Sequence, residues 1–254
     1  MSRVELALIL TTVAGLSTTV GSLLGLALRR PGPRFMGLSL GFAAGVMILV
    51  SFVELLPKGI EALGFGWGHA AFFAGLAAMF LLDAALPHSY AGMDDTGRGP
   101  RDRRLLQTGL FVAFGIGIHN LPEGMATFAG TLADTRLGLA IAVAIAIHNI
   151  PEGLAVAAPI YAATGSRKKA FWWSFLSGVS EPVGAGLAAI ALLPLLRGPV
   201  LGVMLAGVAG LMVFIALDEL LPASREYGEA HVSIIGVAAG MAVMAISLWL
   251  LAMR

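Results

Sequence analysis

Residues 119–124 read HNLPEG and residues 148–153 read HNIPEG, so one phrase occurs twice with a single Leu-to-Ile exchange. Both copies lie inside long apolar stretches. Ionisable side chains are rare at membrane depth, because each costs ~2.5–3.5 kcal/mol in the middle of a transmembrane helix. A histidine and a glutamate repeated in two apolar stretches therefore indicate a functional site rather than ordinary helix packing.

The composition around these phrases is that of a membrane protein. The chain has 254 residues, of which 58% are hydrophobic and 12% are charged, against about 25% charged residues in a soluble domain. Charged residues collect between apolar runs that approach the ~20 residues needed to cross a bilayer as a helix. The absence of cysteine excludes thiolate metal sites and cysteine nucleophiles. A net charge of +1 gives no electrostatic support for a nucleic-acid partner.

We predict an all-α integral membrane protein with eight transmembrane helices, forming a single transporter domain over residues 1–254. Helices are expected because a backbone exposed to lipid must satisfy its own hydrogen bonds, and the alternating pattern of barrel strands is absent. The predicted spans are residues 4–28, 35–57, 68–87, 105–130, 136–163, 170–195, 199–222 and 230–252.

Basic residues predict the orientation, since cytoplasmic loops carry an excess of Lys and Arg. One set of loops holds Arg29, Arg30, Arg34, Arg98, Arg101, Arg103, Arg104, Arg167, Lys168, Lys169 and Arg225. The other set, with both termini, holds only Arg3, Lys58, Arg136, Arg197 and Arg254. We therefore expect a protein of the inner (cytoplasmic) cell membrane with both termini outside. The longest loop, about residues 88–104, should be a cytoplasmic linker, and its His88 an ordinary loop residue.

The spacing within each phrase suggests a metal site. His119 and Glu123 are four residues apart, as are His148 and Glu152, and residues at i and i+4 share one helical face. A glutamate in span six could reach the same depth. The candidate metal ligands are His119, Asn120, Glu123, His148, Asn149, Glu152 and Glu181.

The chemistry of these groups favours a divalent transition metal. Imidazole, carboxylate and amide ligands suit zinc, and also iron, cobalt or manganese. Three ionised glutamates are nearly neutralised either by two divalent ions or by one ion and a proton, and the sequence does not choose between them. Pro122 and Pro151 cannot donate a backbone hydrogen bond, so each should kink its helix and free a carbonyl beside the histidines. Interrupted helices of this kind line the sites of many transporters.

Acidic residues near the ends of two spans suggest a path to this site. The sequence ELLP occurs at residues 54–57, at the predicted outer end of span two, and at residues 219–222, at the predicted inner end of span seven. Its appearance at opposite faces suggests an inverted repeat. Glu54 would gather cations at the entrance, and Asp218 and Glu219 would receive them at the exit. Asp83, near the inner end of span three, is a weaker candidate.

The two phrases, together with Ser180-Glu181-Pro182, resemble the metal-site motifs of the ZIP (Zrt/Irt-like) family of metal transporters, and the stretch 148–166 is similar to its bacterial zinc-uptake branch. The resemblance covers essentially the whole chain. It implies a 3+2+3 bundle, with spans one to three related by inversion to spans six to eight. It also implies a binuclear site. The two histidines and three glutamates would match the first metal position, and the two asparagines with the shared glutamates would match the second.

We therefore predict a secondary carrier, not an enzyme, that brings divalent metal ions into the cytoplasm. The transported ion would be Zn²⁺, with Fe²⁺, Co²⁺, Mn²⁺ and Cd²⁺ as alternatives, and no cofactor is expected. Two other functions stay open: an intramembrane metalloenzyme with a di-metal centre, and a permease for organic solutes or protons. The expected partners are the metal ions and the lipid bilayer. Glycines at four-residue spacing, such as Gly41 and Gly45, fit either a homodimer or packing within one chain.

Overall fold

The computed structural model describes residues 2–27, 32–85, 99–192, 199–227 and 229–252, and these residues form helices and no strand. Eight helical rods follow one another along the chain. They are α1 (Arg3–Ala27), α2 (Pro33–Val50, the π-helical turn Ser51–Leu55 and Leu56–Leu63), α3 (Phe65–Ala85), α4 (Pro100–Ala133), α5 (Thr135–Thr164), α6 (Arg167–Leu187 and the π-helical turn Ala188–Leu192), α7 (Pro199–Phe214, the π-helical turn Ile215–Leu220 and Leu221–Tyr227) and α8 (Ala230–Ala252).

The eight predicted helices are confirmed. Seven of the rods among the described residues are long and apolar enough to cross a membrane, and α6 falls outside this set. Serines, glycines, tryptophans and Glu181 lower the hydropathy of α6, but only two residues separate it from α5, which is long and apolar enough to cross a membrane. It also packs against α1 and α4. These contacts support α6 as the eighth span.

Several predicted boundaries were wrong. Helix α4 begins at Pro100, so the last residues of the predicted loop 88–104 are helical; Pro at the first helical position costs no hydrogen bond. Residues 86–98, which include His88 and Arg98, lie outside the described residues. Helix α2 continues to Leu63, because Pro57 stands in the first turn of a new helical segment that follows the π-helical turn. Glu54 therefore lies inside its rod rather than at the end.

A glycine turn joins α5 to α6. Helix α5 ends at Thr164, and Gly165 takes a φ of +66°, a left-handed conformation that side chains disfavour. The Gly165 N–H donates to the Tyr161 carbonyl at 2.8 Å. The Ser166 side chain then caps α6 by accepting a hydrogen bond from the Lys169 backbone N–H at 3.3 Å. This short connection reverses the chain, so that α6 packs beside α5.

The rods fall into two groups by their packing. Helices α1, α4, α5 and α6 pack against one another, whereas α2 packs mainly against α8, and α3 mainly against α7. Arg3 donates to the Leu132 carbonyl at 3.1 Å, so α1 begins where α4 ends. We call this side of the bundle the N-terminal face.

Glycines allow the helices to approach at backbone distance. Gly41 and Gly45 of α2 lie against the backbone of α8, and Gly236 and Gly240 of α8 lie against the backbone of α2. These glycines, which in the sequence fitted either a homodimer or packing within one chain, thus pack within one chain. They give no evidence for a dimer.

Candidate metal site

The histidines and glutamates of the two phrases meet between α4 and α5, and they pair across the helices. His119 Nε2 lies 3.0 Å from Glu152 Oε1, and His148 Nε2 lies 3.2 Å from Glu123 Oε2. All four side chains are buried. The sequence placed each histidine beside the glutamate of its own helix. Because α4 and α5 pack closely, each histidine instead meets the glutamate of the other helix.

The asparagines fix the two helices against their neighbours. Asn120 Nδ2 donates to the Ser177 carbonyl of α6 at 3.0 Å, and Asn149 Nδ2 donates to the Ala14 carbonyl of α1 at 3.0 Å. Asn149 Nδ2 also donates to Glu181 Oε2 at 2.7 Å. This last bond ties the third glutamate to the paired phrases. All seven predicted site residues thus lie in one buried region shared by α4, α5 and α6.

Each of the seven predicted metal ligands has one buried side-chain atom without a hydrogen-bond partner among the described residues. Unpaired buried polar atoms are uncommon and call for an explanation. They are His119 Nδ1, Asn120 Oδ1, Glu123 Oε1, His148 Nδ1, Asn149 Oδ1, Glu152 Oε2 and Glu181 Oε1. Each is an atom that can bind a metal ion.

The side chains are not gathered around one point. Among the described residues, no group of three or more His, Asp or Glu side chains is arranged so that it could hold a metal ion as it stands. The crosswise pairs keep each Nε2 atom on a carboxylate. A bound dication would have to replace these His–Glu contacts, which requires rotation of the side chains.

A cavity of about 740 Å³ leads to this region. Its walls include Glu123 and His148 at one end, and Glu54, Lys58 and Glu61 of α2 at the other. Leu132 and Leu201 also line it, which places its mouth at the N-terminal face. One of the two His–Glu pairs, Glu123 and His148, therefore lies on the wall of a cavity on that side of the bundle.

Lys58 is a cavity residue that the sequence analysis did not single out. Its Nζ forms an ion pair with Glu54, one helical turn away. Lys58 follows Glu54 at i, i+4 spacing in the sequence. The pair was not predicted because the helix was expected to end at Pro57. Glu54 thus lies on the wall of the cavity, with the positive charge of Lys58 beside it.

The predicted exit residues lie towards the opposite end of α7. Thr108 of α4 donates a hydrogen bond to the Glu219 carboxylate, and Asp83 and Asp218 lie close enough to interact with it electrostatically. Arg104 bonds Glu226 at 3.3 Å nearby. Asp83, predicted in span three, therefore lies close to Asp218 and Glu219, predicted in span seven.

The fold and this buried set of polar side chains define a helical, multi-pass membrane protein with a polar site between its helices. The model of the ZIP zinc transporter family matches residues 83–248. The chain belongs to the ZIP family of zinc transporters.

Curated relatives cover nearly the whole chain. A zinc transporter ZupT from Chlorobium phaeovibrioides is 54% identical over 97% of this chain and 98% of its own length. A zinc transporter ZupT from Chlorobium luteolum is 51% identical over 99% of this chain and 100% of its own. One from Corynebacterium aurimucosum is 46% identical over 98% of each.

Proposed function

We propose that the protein takes up divalent transition-metal ions, zinc foremost, across the cytoplasmic membrane as a secondary carrier. The observation that carries this proposal is the cavity that runs from the N-terminal face to Glu123 and His148. Membership of a transporter family and the names of the relatives favour transport over an intramembrane metalloenzyme. Iron, cobalt, manganese and cadmium are alternative cargo, because the same ligand types accept them.

The metal would bind at the crosswise pairs. An ion arriving through the cavity meets Glu123 and His148 first, and it displaces the hydrogen bond between them. Glu152, His119 and Glu181 complete this first position in the proposal. The unpaired side-chain oxygens of Asn120 and Asn149, with the shared glutamates, form the second. Two adjacent divalent ions would nearly neutralise the three carboxylates, leaving a net charge of +1, and one ion with a proton would do so completely.

The distribution of basic residues supports an orientation with the N-terminal face outside, and the cavity lies on that side of the bundle. Metal would enter past Glu54 and leave past Asp218 and Glu219 towards the cytoplasm. Both chain termini would then lie outside.

The helix contacts support an inverted 3+2+3 repeat. Gly45 of α2 lies against the Val237 carbonyl, and Gly210 of α7 lies against the Phe72 carbonyl. The numbers of the two glycines differ by 165, and so do the numbers of their two partners, Phe72 and Val237. The contact between α2 and α8 therefore has a counterpart between α7 and α3.

The same relation extends to the helices of the site. Gly21 of α1 lies against the Ile150 carbonyl, and Gly184 of α6 lies against the Leu121 carbonyl. Leu121 and Ile150 hold the same position in the two phrases. Helices α4 and α5 thus occupy equivalent places at the centre of the proposed repeat.

Uptake into sealed proteoliposomes tests the proposed function. Purified protein should move Zn²⁺ to an enclosed zinc-sensitive dye faster than protein-free vesicles do. Co²⁺ and Mn²⁺ supplied in place of Zn²⁺ would establish the preference order. Folded, correctly reconstituted protein that moves none of these ions would refute the proposal, whereas uptake of an organic solute without metal would support the competing permease.

A further inference from the structure

A second candidate binding site lies on the outer surface of α6, away from the metal site. A groove of about 360 Å³ is lined by Lys168, Lys169, Trp172, Trp173 and Leu176. Trp172, Trp173 and Leu176 are 48%, 40% and 54% exposed. The opposite side of the same helix, including Ala170, Ser174 and Glu181, is buried against the bundle. The groove therefore faces away from the protein interior.

The two lysines have charges that the described protein does not neutralise. Lys168 and Lys169 are exposed, and neither forms an ion pair with any described residue. The neighbouring Arg167 differs, because its guanidinium lies over the Tyr161 ring at 5.8 Å. Of the three basic residues at the start of α6, Lys168 and Lys169 are thus available to bind a ligand outside the chain.

The groove lies at the membrane boundary. Helix α6 begins at Arg167, and with a rise of about 1.5 Å per residue Trp172 lies roughly 7–8 Å deeper. Tryptophan prefers this level of a membrane, where its ring is partly in the acyl region and its N–H reaches water. Phe171 and Phe175 brace Trp172 through edge contacts, with ring centroids 5.8 Å and 5.4 Å away.

We propose that this groove binds the headgroup of an anionic phospholipid from the leaflet opposite the N-terminal face. The lysine ammonium groups would bind the phosphate and the second negative charge of the headgroup. The tryptophans and Leu176 would contact the glycerol and the first acyl carbons. A soluble anion would use the lysines alone, so the exposed apolar floor of the groove favours the lipid. This inference does not depend on metal transport.

Fluorescence quenching tests the proposal, because the chain has only four tryptophans. A W67F/W249F variant leaves Trp172 and Trp173 as the reporters. It would be placed in bilayers of phosphatidylcholine containing a small fraction of brominated phosphatidylglycerol or of brominated phosphatidylcholine. The charge of two lysines should enrich the anionic lipid locally on the order of tenfold at low salt. Brominated phosphatidylglycerol should therefore quench the tryptophans at a much lower mole fraction than brominated phosphatidylcholine does.

Matched variants isolate the lysines. In the same background, K168Q/K169Q should lose the difference between the two lipids, and K168R/K169R should keep it. R34Q serves as the control, since it removes a basic residue that pairs with Glu229 on the same side of the bundle. Equal quenching by both lipids in the parent variant would overturn the proposal. A preference for the anionic lipid that persists in K168Q/K169Q would also overturn it. Loss of the preference in millimolar inorganic phosphate would overturn it too, because that result indicates a site for free phosphate.

Discussion

His119 on α4 lies 3.0 Å from the Glu152 carboxylate on α5, and His148 on α5 lies 3.2 Å from the Glu123 carboxylate on α4. Each phrase thus supplies the partner for the other. A substitution in one helix must therefore alter a His–Glu pair that includes a residue of the other helix. The two phrases therefore form one site and not two.

Replacement of Glu152 by alanine should abolish zinc uptake while the protein still inserts into the membrane. The substitution removes one proposed ligand and leaves His119 without its buried partner. Loss of a metal ligand should reduce uptake by about 100-fold or more. The measurement is zinc flux into proteoliposomes at matched protein content.

Glu229→Ala is the control for Glu152→Ala. It removes a glutamate from an exposed ion pair with Arg34, far from the site in the fold, and should leave flux nearly unchanged. If Glu152→Ala, at the protein content of the wild type, shows near-normal uptake, Glu152 is not a metal ligand.

Substitution of His119 or His148 by serine should change metal preference more than it changes insertion. Imidazole favours zinc, cobalt and iron, whereas sites with oxygen ligands alone favour manganese and magnesium. The ratio of zinc to manganese uptake should therefore fall in each variant. If the ratio is unchanged in both single variants and in the double variant, the histidines are not ligands.

The sequence predicted the eight helices and the residues of the candidate site, but not how the residues pair. The i, i+4 rule places His119 and Glu123 on one face of α4, which is a local property of the chain. Which glutamate each histidine meets depends on how closely α4 and α5 approach, and this depends on contacts distant in sequence. The final glycine of each phrase, Gly124 or Gly153, shows the same limit of prediction from the sequence. The sequence shows that the residue is small, but not which helix packs against it.

Alanine at Gly124 should destabilise the protein and impair uptake. An added Cβ would overlap the Glu181 backbone carbonyl of α6, so α4 and α6 would have to separate and move Glu181. Overpacking of this kind costs about 1–3 kcal/mol. The melting temperature in detergent and the zinc flux should both fall.

Gly186→Ala is the matched control for Gly124→Ala. Gly186 also lies in a helix, but no neighbouring atom lies within 4 Å of the position its Cβ would take. This variant should keep or raise stability, because alanine favours helix over glycine by about 1 kcal/mol. Equal melting temperatures for the two variants would show that the α4–α6 contact is not tight.

Replacement of Lys58 by glutamine should strengthen zinc uptake at low zinc concentration. Lys58 pairs with Glu54 on the wall of the cavity, where its positive charge opposes the entry of a dication. Without it, Glu54 and Glu61 would attract cations more strongly, and the apparent KM should fall roughly 2- to 10-fold. The gain should shrink as salt is raised, since ions screen charges in open water-filled spaces. Glu54→Gln should shift the apparent KM in the opposite direction, while Arg34→Gln, on the other face of the bundle, should leave it unchanged. An unaltered KM in both Lys58→Gln and Glu54→Gln would mean that zinc does not reach the site through this cavity.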